Sequence, residues 1–115
     1  MRFMIQVRAT ASSERGDRPG PELQPLFEEM GAFHAEMARA GVLLDGAGLR
    51  PSRQGWRQHY HLDGRREVID GPCDEPQELI AGYTLIQVGS VDEARAWAAR
   101  FPNPFPGQAC QIEVR

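Results

Sequence analysis

His34 and Asp45 are the residues whose types and setting best suggest chemistry. His34 stands four residues after Met30 and three before Met37, on the apolar stripe of a helix. Asp45 interrupts the apolar run Val42-Leu43-Leu44, and an acid inside such a run needs a partner if buried. A carboxylate hydrogen-bonded to an imidazole orients it and supports its charged form, as in a general base with its orienting acid. The expectation is therefore a His34–Asp45 acid–base pair. The plainer alternative is a core histidine satisfied by a buried acid or a backbone carbonyl. Asp70 is a second acid, at the end of the run Val68-Ile69 and just before Gly71-Pro72. It is either a catalytic acid facing a cleft or a turn cap whose carboxylate takes the N–H groups after Gly71. Tyr83 and Trp56 are candidates to line a substrate pocket, and Arg57 to hold a substrate carboxylate.

Other reactive side chains have weaker settings. Cys73 follows the Gly71-Pro72 turn with no base beside it, and reads more simply as apolar filler than as a nucleophile. His59 and His61 share one strand face, where two imidazoles can hold a metal, but no third ligand is evident nearby. No metal or cofactor is therefore expected. All 13 cationic residues are Arg and none is Lys, which excludes Schiff-base chemistry and leaves Arg as the anion clamp. The group Arg50, Arg53, Arg57, Arg65 and Arg66 reads as an anion-binding patch or as a charged edge that prevents strand pairing.

Seven elements must position these residues. Phe3, Ile5 and Val7 alternate with Met4, Gln6 and Arg8 in a first strand over 2–9, followed by a polar loop from Thr10 to Gly20. A helix from Pro21 or Glu22 to Ala40 carries Leu23, Leu26, Phe27, Met30, Phe33, Met37 and Ala38 at helical spacing, with Gly41 as its stop. Val42 to Leu49 is a second strand. Gly55 to Leu62 and Arg66 to Asp70 form a hairpin about Asp63-Gly64, expected to pack one face and wet the other. Tyr83 to Val88 is a strand, and Ser90 with Glu93 opens a second helix bearing Val91, Ala94, Trp97, Ala98 and Phe101. Cys110, Ile112 and Val114 belong to a last strand.

The core order, β-α-β, hairpin, β-α-β, is the split βαβ or ferredoxin-like pattern of the α+β class, an antiparallel sheet with an inserted hairpin and two helices on one face. Residues 1–115 make one domain. Apolar residues fall on both sheet faces, so the second face predicts a homodimer whose sheets meet. A net charge of −3 disfavours nucleic acid, and no apolar window of about 18 residues predicts a membrane span. The two cysteines suggest reduced thiols in a cytosolic protein.

The motifs then point to a family. Asp70-Gly71-Pro72-Cys73-Asp74-Glu75-Pro76-Gln77-Glu78, followed by Leu79-Ile80-Ala81-Gly82-Tyr83, resembles the Asp-Gly-Pro-Phe-x-Glu-x-Lys-Glu branch of the YCII-related family. Ala40 to Leu49 and Phe101-Pro102-Asn103-Pro104 also resemble it. Cys73 stands where the branch has Phe, and Gln77 where it has Lys. The resemblance implies a dimeric α/β barrel. The wider group resembles chloromuconolactone dehalogenases and is credited with a His–Asp pair. Asp45 matches the Asp, while Gly31 matches the His and His34 lies one turn later. Family genes often neighbour extracytoplasmic-function sigma factors, which implies a sigma-factor-linked protein partner. The expected function is small-molecule binding with proton-transfer or elimination chemistry on a polar organic acid. The alternative is a non-catalytic regulatory or interaction module.

Overall fold

The computed structural model describes residues 1–17 and 20–115. Its elements are β1 (Arg2–Arg8), α1 (Ala11–Arg15), α2 (Gln24–Arg39), β2 (Leu43–Gly48), β3 (Trp56–Tyr60), β4 (Arg66–Asp70), β5 (Ile80–Gln87), α3 (Val91–Ala99) and β6 (Ile112–Val114). The main sheet runs β2-β5-β1-β6, and every neighbouring pair is antiparallel. This is the ferredoxin-like α+β arrangement, with the β3–β4 hairpin inserted between β2 and β5.

Period-two alternation sorts β1 and β5 into two faces. Ile5 pairs with Thr84 and Phe3 with Ile86 on one side; Met4 pairs with Leu85 and Gln6 with Tyr83 on the other. Both long helices pack on the Ile5 side. Phe33 and Met37 of α2 and Ala94 of α3 join Ile5, Val42, Ile86 and Val88 in one buried cluster. Burying side chains such as Ile5, Ile86 and Met37 contributes about 1.5–3 kcal/mol each. The other face, with the half-buried Met4, Leu85 and Tyr83, carries neither long helix among the described residues.

Several boundaries differ from the sequence reading. Thr10 to Gly20 was expected as loop, with Arg18 and Pro19 outside the described residues, yet Ala11–Arg15 is helical. Thr10 caps it, its hydroxyl accepting from the Ser13 N–H while the Ser13 hydroxyl accepts from the Thr10 N–H. β5 begins at Ile80 rather than Tyr83, because Ile80 and Gly82 pair with Arg8 and Val7. β6 is shorter than expected and leaves Cys110 outside. At the start of α3, Ser90 accepts from the Glu93 N–H, but the Glu93 carboxylate accepts from Gly89 rather than from Ser90.

The hairpin corrects a larger expectation. Gly64, at φ 88°, supports the turn, and the His61 N–H reaches the Arg65 carbonyl at 2.9 Å. Neither face of the ribbon is packed, however: every residue of β3 and β4 is exposed.

Candidate functional site

The candidate residues fall in three places. His34 projects from α2 towards the helix-covered face of the sheet. Its Nδ1 lies 2.8 Å from the Met30 carbonyl oxygen and its Nε2 2.7 Å from the Thr84 hydroxyl. A carbonyl can only accept, so Nδ1 carries the proton; in the neutral ring Nε2 then accepts from Thr84 Oγ1. Thr84 is 2% exposed, a buried hydroxyl whose need for a partner the imidazole meets. The Phe101 ring meets His34 edge-on at 5.9 Å. A cleft of about 370 Å³ opens here between α2, the ends of β2 and β5, and the Phe101–Phe105 connection. Its walls include Val7, Met30, Gly46, Gly48, Phe101, Pro104 and Phe105, with His34 as the ionisable imidazole at its floor.

Asp45 is not His34's partner. Its Oδ2 accepts from the Tyr83 hydroxyl at 2.9 Å and its Oδ1 from the Gly46 N–H at 2.8 Å. The physical reason is a bulge. Leu43 pairs with Ile86 and Asp45 with Leu85, so Leu44 is an extra residue in β2. In an unbulged strand Asp45 would face Thr84, on the His34 side. The one-residue slip turns it to the open face, with the sheet between the two side chains. Gly46 takes the place beside Thr84 instead, where a Cβ would lie 3.6 Å from the His34 ring. On the open face, the hydrogen bond to Asp45 raises the Tyr83 pKa above the ordinary tyrosine value; the charge of the carboxylate and partial desolvation push the same way.

Trp56, Arg57 and Asp70 meet at a third place, the root of the hairpin, where Trp56 pairs with Asp70. Together with Ile69, Cys73 and Leu79 they line a cleft of about 260 Å³. Asp70 does not cap the turn: Gly71 N–H donates to the Gly55 carbonyl at 3.0 Å, and Cys73 N–H to Ser52 Oγ at 2.8 Å. Gly71 is needed for close approach rather than for a positive φ, since a Cβ there would lie 1.8 Å from the Ser52 carbonyl oxygen. Glu14 of α1 takes both the N–H and the hydroxyl of Ser52, and Arg53 Nη1 donates to the Glu14 carbonyl at 2.8 Å. Arg57 lies 3.9 Å from Glu78. The pKa of Glu75 is raised, first by the hydrogen bond its protonated carboxyl donates to Glu78 and then by the Glu78 charge.

His59 and His61 have ring centres 6.2 Å apart, and His61 Nε2 is 3.0 Å from Glu67. Thr84, Glu14 and Ser52 escaped sequence reasoning. Only Thr84 left a signal there, a hydroxyl in a strand between Tyr83 and the apolar Leu85.

The fold and the cleft define a ferredoxin-like α+β domain with a histidine beneath its sheet. The chain belongs to the YCII-related domain family, whose sequence model matches residues 1–115. It is 31% identical over 94 residues to a protein of Rhizobium meliloti (strain 1021) described as uncharacterised, a match covering 82% of this chain and 74% of that one.

Proposed function

We propose that this protein binds a small organic molecule in the His34 cleft, with His34 exchanging a proton with it. The observation that carries the reading is the fixed imidazole: the Met30 carbonyl orients Nδ1, while Nε2 and the Thr84 hydroxyl form one hydrogen-bonding unit at the floor of an open, mostly apolar cleft. The lining favours a largely apolar ligand with one polar group directed at His34. Arg57 lies at the other cleft and Asp45 on the other face, so the carboxylate clamp and the orienting acid expected from the sequence are not part of this proposal. A ligand hydroxyl, thiol or activated C–H would give its proton to Nε2 in place of Thr84.

We also propose that two copies meet through the bare sheet face, which supports enclosing the Asp45–Tyr83 pair between them. An interaction role remains the second reading, favoured by the unpacked hairpin.

The test is a fragment screen followed by amide chemical shifts, using small phenols, alcohols and carboxylic acids. Binders should perturb Met30, His34, Gly48 and Thr84, and His34→Ala should weaken them at least tenfold. Binders confined to the Trp56–Asp70 cleft would overturn the assignment.

A further inference from the structure

We infer that the β3–β4 hairpin is an arm that seats its Trp56–Tyr60–Val68 face on a second copy of this chain. A two-stranded ribbon alone in water is marginal at best, and this one has neither face packed on its own domain. Cross-strand register puts Trp56, Gln58 and Tyr60 on one side with Asp70, Val68 and Arg66. On that side Trp56 is 69% exposed, Tyr60 70% and Val68 61%. Two aromatics and a valine on one exposed strand face mark a contact surface rather than scattered apolar residues. Arg66 lies 5.1 Å from the centre of the Tyr60 ring and holds it in place before any partner arrives.

Surface area supplies the occupant. The chain exposes 7837 Å². A typical folded monomer of 12.8 kDa exposes about 6,300 Å². The excess is about 1,500 Å², whereas a standard interface buries about 800 Å² on each partner. The radius of gyration tells the same story, 16.2 Å against roughly 13 Å for a compact chain of this length. Each copy therefore has surplus surface for more than one standard contact. An isologous pair, each arm on the other body, uses that surplus twice by symmetry and leaves no unmatched face. The inference shares with the sheet-face proposal only the identity of the partner, and the two can fail separately.

Sedimentation equilibrium, run over a micromolar range, separates them. The wild type should weigh twice the chain mass. Trp56→Glu with Val68→Glu, both at exposed positions outside the buried cluster, should keep the circular dichroism of the wild type and weaken the dimer at least tenfold. Leu85→Glu, on the open sheet face, should weaken it independently. In Trp97→Phe, Trp56 is the sole tryptophan, and it should be shielded from acrylamide in the dimer and become quenchable on dilution. A dimer indifferent to the arm variant, with Trp56 quenched equally at every concentration, overturns the arm and leaves the sheet face standing. A dimer sensitive to the arm variant but not to Leu85→Glu upholds the arm and removes the sheet face. A strict monomer with Trp56 exposed overturns both, and binding of the arm to lipid vesicles or to another protein would then be its use.

Discussion

Thr84→Val isolates the contact on which the His34 cleft depends. Valine keeps the shape of threonine and removes the hydroxyl that meets His34 Nε2 at 2.7 Å. An ordinary hydrogen bond contributes about 0.5–1.5 kcal/mol net, and a buried group left without a partner costs about 1–3 kcal/mol. The group stranded here is Nε2, on a half-buried ring at the floor of an open cleft, so water can replace the hydroxyl. The smaller cost wins, and the expected loss is about 1 kcal/mol. For a domain of this size that lowers Tm by about 4 °C. Urea unfolding should show a lower midpoint with an unchanged slope. Imidazole ¹⁵N shifts provide the structural check. The neutral ring should be protonated at Nδ1 in both proteins, because Met30 is untouched, and only the Nε2 resonance should move. A loss above about 3 kcal/mol would show that Nε2 is sealed from solvent, and the cleft would not be open to a ligand. A ring protonated at Nε2 in the wild type would refute the hydrogen-bond assignment itself.

The remaining expectations concern the open face and the turn. Tyr83 has a raised pKa in the folded state, so its stabilising contribution is fully present below the unfolded tyrosine value of about 10 and is lost as pH climbs through the folded value. In a Tyr60→Phe background, where Tyr83 is the sole tyrosine, alkaline absorbance titration should show Asp45→Ala ionising Tyr83 at lower pH; an unmoved curve would dissociate the pair. Gly71→Ala places a Cβ on the Ser52 carbonyl and should cost about 1–3 kcal/mol by thermal unfolding, whereas Gly48→Ala, which meets nothing within 4 Å, should stay within about 0.5 kcal/mol.

Much of the scaffold was legible in the sequence, because hydrophobic period is a local property. The stripe Met30, Phe33 and Met37 marked α2, the alternation Phe3, Ile5 and Val7 marked β1, and Asp63-Gly64 marked the hairpin turn. α1 was not legible: its cap is closed by Ser13 where the usual signal is Glu or Gln, and it buries no apolar residue. The hairpin's lack of packing was hidden because alternation states which residues share a face and not whether anything covers it. His34 was correctly placed on the inner stripe, but its partner was not, since Thr84 lies 50 residues away.

By itself the sequence determined the class of fold, the two helices that cover one sheet face, and the histidine that lies between helix and sheet. Those follow from periodicity, caps and turn residues, each readable within a few positions. Only the tertiary structure decided which acid that histidine meets, and the answer is none among the candidates. A single extra residue, Leu44, shifts β2 against β5 and turns Asp45 to the opposite face. Register is a property of two strands pairing under the whole core, and no local pattern in β2 announces the slip.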